Sequence, residues 1–149
     1  MIEVRVATAK DIDVWVKLRL KLWPHPSVEE HQKEVPEELA NPERECFLAF
    51  DGDKAIGFAE LSLRSVVDGC YSSPVAYLEG LYVEPEYQGQ GVGRKLVESG
   101  GQWGLTKGCS EMGSDAEVEN QRSIDVHLKL GFEEVDRVVQ FKKDLNNGV

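Results

Sequence analysis

The stretch that most constrains the fold is a nearly continuous apolar run, Val75–Val83 (VAYLEGLYV), that passes directly into EPEYQGQGVGRKL. The run reads as an interior strand. The chain then turns at Pro85, and small residues lead into a helix expected from about Gly91 to Leu105. A strand that enters a helix through glycines asks for a crossover, so parallel pairing with a later strand is expected around this helix. Gly89, Gly91 and Gly93 lack Cβ atoms, so the backbone can take positive φ and approach a ligand closely. The unpaired N–H groups and dipole of the first helical turn favour an anion there, with Arg94 and Lys95 at the rim. The Walker pattern is excluded because no G-K-[ST] follows. The dinucleotide pattern is excluded because Arg94 stands in place of its third glycine.

Around this unit the periodicity changes repeatedly. IEVRVA alternates apolar and charged residues as a first strand. Thr8 and Asp11 have the spacing of a capping box for a helix reaching about Leu22. Ile12, Trp15, Val16 and Leu20 form its apolar stripe, and Lys17, Arg19 and Lys21 are expected to face water. Pro24 and Pro26 stop it. SVEEHQKEVPEELAN reads as a second helix, interrupted near Pro36. Two apolar runs flank Asp51-Gly52-Asp53 as a β-hairpin. CSEMGSD reads as a short strand ending in a loop. A helix starts at Asn120 and closes at Gly131, and EEVDRVVQFKKDL reads as a last strand or hairpin arm. The order predicts an α/β fold with a mixed sheet, as one domain over residues 1–149.

The charge balance narrows the partners. With 27 acidic and 17 basic residues the chain carries a formal charge of −10. Such a surface repels nucleic acid and anionic membranes and favours cationic ligands. No apolar stretch approaches the roughly 20 residues that span a bilayer. MIEVRVATAK lacks the basic head and apolar middle of a signal peptide, so a cytoplasmic location is expected. Cys46, Cys70 and Cys109 have no C-x-x-C spacing, so neither a disulfide framework nor a metal site is expected.

Gln88, Gly91 and Gly93 have the Q-x-x-G-x-G spacing of the pyrophosphate loop in the GNAT superfamily of N-acetyltransferases, which the whole chain resembles. NQRSIDVHLKLGF resembles the segment that follows in that family, with Asn120 and the terminal L-G-F in place. LWPHP, GCYSSPVAYLEGLYV, WGLTKGCSEMGSD and GFEEVDRV are similar to segments of the aminoglycoside 6′-N-acetyltransferases. The resemblance implies the GNAT fold: a central, mostly antiparallel mixed sheet flanked by helices, with acyl-CoA in a splay between central strands. It implies acetyl-CoA as co-substrate, direct attack in a ternary complex, a polycationic aminoglycoside as acceptor, antibiotic resistance, and a homodimer, here through Val138 to Lys142. On this resemblance acetyl-CoA is held by Gln88, Gly89, Gln90, Gly91, Val92, Gly93 and Arg94. Asn120, His127 and the backbone of Leu81, Tyr82 and Val83 complete that contact.

The acceptor side rests on carboxylates. By strand alternation Glu79 shares a face with Val75, Tyr77, Leu81 and Val83. A carboxylate in that setting needs a partner. Burial would raise its pKa, which suits a group that takes a proton from an ammonium. A structurally paired glutamate is the competing reading. Asp115 and Asp136 are candidates for binding the acceptor's ammonium or hydroxyl groups, and turn chemistry is the alternative for both. Trp23 reads equally as core or as a wall that stacks on a sugar, and Tyr71 is a similar candidate. His127 stands where most of the family has a tyrosine that protonates the departing thiolate. It is a proton donor, a coenzyme contact or simply a helix-face histidine. Phe141, where some relatives carry a tyrosine, has no proton to give. Gly80 either admits the acetyl group or permits a bulge. Two other functions fit the same residues: acetylation of a different amine (a polyamine, a small amine or a protein N-terminus), and a non-catalytic acyl-CoA-binding module.

Overall fold

The structure is a computed structural model that describes residues 1–147; residues 148–149 of the expected domain lie outside them. By contact density the chain divides into two compact units, Met1–Asp115 and the segment from Ala116 onward. The first contains β1 (Ile2–Val6), α1 (Ile12–Leu22), α2 (Val28–Ala40), β2 (Arg44–Asp51), β3 (Lys54–Arg64), β4 (Val75–Val83), α3 (Val92–Thr106) and β5 (Met112–Ser114). The second contains α4 (Gln121–Lys129), closed by Gly131 at φ 97°. The sheet order is β1-β2-β3-β4-β5, antiparallel except for the parallel β4–β5 pair on either side of α3.

The hairpin at Gly52, the strand–glycine–helix unit and the parallel crossover stand where the sequence places them. The sheet is covered on both faces. Trp15, Val16 and Leu18 of α1 and Val35 of α2 pack with Cys46, Leu48 and Phe58. On the opposite face α3 lies close to the strands, because a Cβ at Gly100 would meet Leu61 at 3.0 Å and one at Gly104 would meet Ala76 at 2.8 Å. Those glycines let helix and sheet approach.

Three expectations are corrected. Arg19, expected in water, is 3% exposed. Its guanidinium grips Glu60 of β3 through Nε at 2.6 Å and Nη2 at 2.9 Å. Helix α2 continues through Pro36 rather than breaking there. Pro36 and Gln32, whose carbonyl loses its usual donor, both lie on the exposed side, where water serves that carbonyl. The last strand does not form: 132–144 adopt no regular structure, and Val135, Val138, Val139 and Phe141 are exposed. Alternating sequence makes a strand only beside another strand, and among the described residues none pairs with this segment.

The entry to α1 is fixed electrostatically. Asp11 accepts from Arg5 at 2.8 and 2.9 Å, from the Thr8 backbone N–H at 2.8 Å and from the Thr8 hydroxyl at 3.1 Å. The Arg5 hydrogen bonds, opposed by burial and helped by Thr8, hold its carboxyl at about 2. A carboxylate depressed on folding stabilises the protein above its unfolded pKa, and that contribution disappears as pH falls toward the folded value. Asp11→Ala should therefore cost about 1 kcal/mol at pH 7. The difference from wild type should shrink as pH falls from about 4 to about 2, as urea titrations at stepped pH will measure.

Candidate active site

A bulge in β4 organises the site. Glu60 pairs with Gly80 and Leu61 with Leu78, so Glu79 has no cross-strand partner and is the extra residue. The bulge corrects the expected face. Glu79 remains on the side of Ser62 and Arg64, which it contacts, whereas Leu81 and Val83 turn to the α3 face, 3.9 Å from the Cβ direction of Gly93. A flat ladder would have kept Glu79 with Leu81 and Val83. The insertion places Glu79 and Gly80 together on the α1 side instead.

Glu79 is half-buried and paired. Ser62 Oγ donates to its Oε2 at 2.5 Å. Arg64 Nη2 lies 3.0 Å from both carboxylate oxygens, and Nε lies 3.2 Å from Oε2. The expected apolar burial is thus replaced by an ion pair. The Arg64 guanidinium also stacks 3.6 Å above the centre of the Tyr77 ring. Tyr77 donates its hydroxyl proton to Asp115 at 2.6 Å. Burial, and then this bond to Asp115, push the phenol well above its usual range. A continuous line of Ser62, Glu79, Arg64, Tyr77 and Asp115 results, with two carboxylates as its acceptors.

Trp23 forms the wall beside this line. It caps α1, its N–H bonding to the Arg19 carbonyl at 2.6 Å, and its ring meets Phe58 edge-on at 5.9 Å. Its own carbonyl lies 2.9 Å from His31 Nε2. A carbonyl can only accept, so that nitrogen carries the proton, and Nδ1 faces Arg19 Nη1 at 3.3 Å as an acceptor. The ring abuts the bulge so closely that a Cβ on Gly80 would lie 2.5 Å from Trp23 Cζ2. Tyr71 is 97% exposed on the β3–β4 loop. That loop is held by Glu111, which accepts from the N–H groups of Tyr71 and Ser72 at 2.9 and 2.8 Å.

The open edge of β4 and the glycine loop present mainly backbone. β5 pairs with β4 only at Ala76, Tyr77 and Leu78. Beyond Leu78 that edge of β4, through Leu81, Tyr82 and Val83, has no neighbour among the described residues, which leaves a splay open to an extended ligand. Gln88 Nε2 bonds back to the Val83 carbonyl at 2.9 Å and Gln90 Nε2 to the Glu86 carbonyl at 3.0 Å. These bonds shape the loop in which Gly89 and Gly91 take φ of 79° and 84°. Apart from their chain neighbours, no described residue comes within 4 Å of where their Cβ atoms would stand. Gly91 caps α3, whose first turn, including Val92, Gly93 and Arg94, presents its N–H groups to that space. A pyrophosphate-bearing coenzyme fits this arrangement of open strand edge and helix start.

Three expected residues lie in the second unit. Asn120 caps α4, its side chain accepting from the Ser123 N–H at 3.1 Å. His127 Nδ1 lies 2.7 Å from the Ser123 carbonyl, which assigns the proton to that nitrogen, and its ring meets Phe132 edge-on at 5.2 Å. Asp136 is exposed and accepts from the Arg137 N–H at 2.8 Å. Arg19, Glu60, Ser62 and Arg64 were not singled out by the sequence. The signal for them was the pair of carboxylates inside apolar strands, Glu60 and Glu79, each of which requires a cation.

Gly80→Ala should displace Trp23 and lower turnover at least tenfold, because the new methyl group cannot share space with the indole. Combining it with Trp23→Leu should restore part of the lost rate. A Gly80→Ala enzyme with unchanged kinetics would show that the wall is not part of the site.

Comparison with known proteins places this geometry. The acetyltransferase (GNAT) family matches residues 12–132. The aminoglycoside N(6′)-acetyltransferase type 1 of Stenotrophomonas maltophilia is 43% identical over 95% of this chain and 93% of its own length. The protein of the same name from Serratia marcescens is 42% identical over 91% and 94%. Among solved structures, AAC(6′)-Iy in complex with the bisubstrate analogue CoA-S-monomethyl-acetylneamine is similar with a TM-score of 0.93. It is 39% identical, over 97% of this chain and 99% of that one. AAC(6′)-Ih from Acinetobacter baumannii gives a TM-score of 0.92 at 36% identity, over 97% and 99%. With a family match across most of its length, a splayed sheet and a glycine cradle at the start of α3, this chain belongs to the acetyltransferase (GNAT) family.

Proposed function

We propose that the protein is an aminoglycoside 6′-N-acetyltransferase that confers resistance by transferring acetyl from acetyl-CoA to an amino group of the drug. The observation that carries the reading is the bulge. It sets a partnered Glu79 beside the open edge of β4, with Asp115 and the Trp23 wall close by. Relatives of this name are about 40% identical along nearly the whole chain, which supports the same acceptor class. Among the described residues no helix is long and apolar enough to cross a membrane, and we infer that the protein acts in the cytoplasm.

Acetyl-CoA supplies the activated acyl group. The cradle from Gln88 to Arg94 takes the pyrophosphate, and the backbone of Leu81, Tyr82 and Val83 pairs with the pantetheine arm as an added strand. An amine attacks only when neutral, so Glu79 accepts the proton of the acceptor's ammonium, directly or through water. Asp115 holds a second polar group of the sugar, and Trp23 and Tyr71 offer aromatic faces to its rings. Asn120 is assigned to the coenzyme, His127 to the coenzyme and, when its ring is doubly protonated, through Nε2–H to the proton required by the departing thiolate, and Asp136 to the acceptor. Direct attack makes no use of Cys109, which is buried, and burial pushes its thiol up.

Purified protein with acetyl-CoA and kanamycin or tobramycin should release free thiol. Glu79→Gln should lower kcat about a hundredfold or more while the KM for acetyl-CoA is retained. Release with a polyamine but with no 2-deoxystreptamine drug would transfer the activity to another amine. Unchanged properties of Glu79→Gln would leave only a binding module.

The assembly we infer is a homodimer. Val138, Val139 and Phe141 leave a strand-like sequence exposed without a ladder, Phe141 at 92%, and a second copy would supply the missing edge. Light scattering coupled to size exclusion should give twice the chain mass. A monomer at micromolar concentration would reject the dimer.

A further inference from the structure

We propose that Arg64 is a resident cation standing in the acceptor's ammonium position, which a polycationic acceptor must displace before reaction. The inference rests on the assignment of Glu79 as the group that receives the reacting amine. Two kinds of surface recognise an ammonium: a carboxylate and an aromatic face. Both are present here, and one guanidinium fills both. Arg64 spans the Glu79 oxygens at 3.0 Å and covers the Tyr77 ring at 3.6 Å. Arg64 does not build the core, since its side chain is 44% exposed against 20% for Glu79. Ser62 also donates to Glu79 Oε2, so the carboxylate keeps an anchor when the guanidinium leaves. Tyr77 likewise keeps its bond to Asp115. The site can therefore exchange one cation for another without losing its frame.

The consequence is selectivity by charge. A lone ammonium replaces a guanidinium at Glu79 with little net gain. A polycation gains in addition at Asp115, and so overcomes the cost of moving Arg64. Arg64 is on this reading a specificity-determining residue. Its removal strengthens acceptor binding, whereas removal of a merely structural arginine would weaken it.

The test is a double-mutant cycle on the full-length protein with saturating CoA, reading the calorimetric Kd for tobramycin. Arg64→Gln should lower that Kd about two- to fivefold, the range expected for a partly exposed ion pair. The acetyl-CoA KM should be unchanged, and the melting temperature should fall by no more than about 4 °C. In the Glu79→Gln background the gain should vanish, because no carboxylate remains to be freed. Arg64→Lys, which keeps the charge without the planar fork, should fall between Arg64→Gln and wild type. A Kd that is unchanged or raised in Arg64→Gln, or a gain that persists with Glu79→Gln, overturns the proposal. On the wild-type protein, where folding of a variant is not in question, the Arg64 Nε–H resonance should shift on saturation with tobramycin. A resonance that stays in place also overturns it. Absence of drug acetylation by wild type would instead overturn the functional assignment, so the two failures are distinct.

Discussion

The buried ion pair between Arg19 and Glu60 is the interaction on which the rest depends. Each side chain is 4% exposed, and the guanidinium spends its donors on Glu60, Glu34 and His31. Trp15 Nε1 adds a bond to Glu60 at 2.8 Å. Removing Arg19 would leave the buried Glu60 carboxylate with the Trp15 N–H but no cation, at a cost of about 3–5 kcal/mol. More than stability is involved, because Glu60 lies opposite Gly80 at the bulge and Arg19 lies one turn before Trp23. The pair therefore ties the wall on α1 to the strand that carries Glu79. His31, bridging Arg19 and the Trp23 carbonyl, brings α2 into the same contact.

Charge is handled differently at the reacting end of the sheet. Around Glu60 every partner is buried and fixed. Around Glu79 the charged partner, Arg64, is half-exposed and replaceable, while the buried Ser62 hydroxyl is a permanent anchor. A rigid inner ion pair and a labile outer one, on neighbouring strands of one sheet, separate the task of holding the site from the task of admitting a cation. At the end of β4 a third carboxylate, Glu84, receives Lys21 at 2.7 Å and the Tyr82 hydroxyl at 2.7 Å. It secures the strand as it enters the glycine loop, and burial followed by the bond to Glu84 raises the Tyr82 phenol to about 12.

What the sequence disclosed was local. Glycine at positive φ, a capping pair at Thr8 and Asp11, a hairpin at Gly52 and the strand before α3 follow from chemistry within a few residues. Glu79 and Asp115 stand out because a carboxylate in or at the end of a strand needs a partner, and the fold supplies Arg64 and Tyr77. What it concealed depends on partners far along the chain. Arg19 sits between Lys17 and Lys21 and reads as surface until Glu60, 41 residues away, is brought against it. Alternation along a flat ladder puts Leu81 and Val83 on the side of Glu79, and the bulge reverses them. A bulge is a property of two strands, and neither strand announces it alone. The segment after Gly131 misled for a related reason, since strand propensity there is not matched by a neighbour in the chain.

The bulge also makes the length of β4 a functional quantity. Residues before Glu79 and after it present opposite parities to the sheet, so the turn of Glu79 toward Ser62 and Arg64 and of Leu81 and Val83 toward α3 follows from a single extra residue. Deleting one position between Leu78 and Gly80 would preserve almost all of the composition and hydrophobicity of the strand. It would leave Leu78 opposite Leu61 and Gly80 opposite Glu60, so both halves would keep their faces and only the carboxylate would be lost, whereas deleting a position on either side of the bulge would turn part of the strand by a full face. In this strand the count of residues is less tolerant of change than their identity. Insertions and deletions should accordingly be far rarer there than substitutions among proteins that keep this activity.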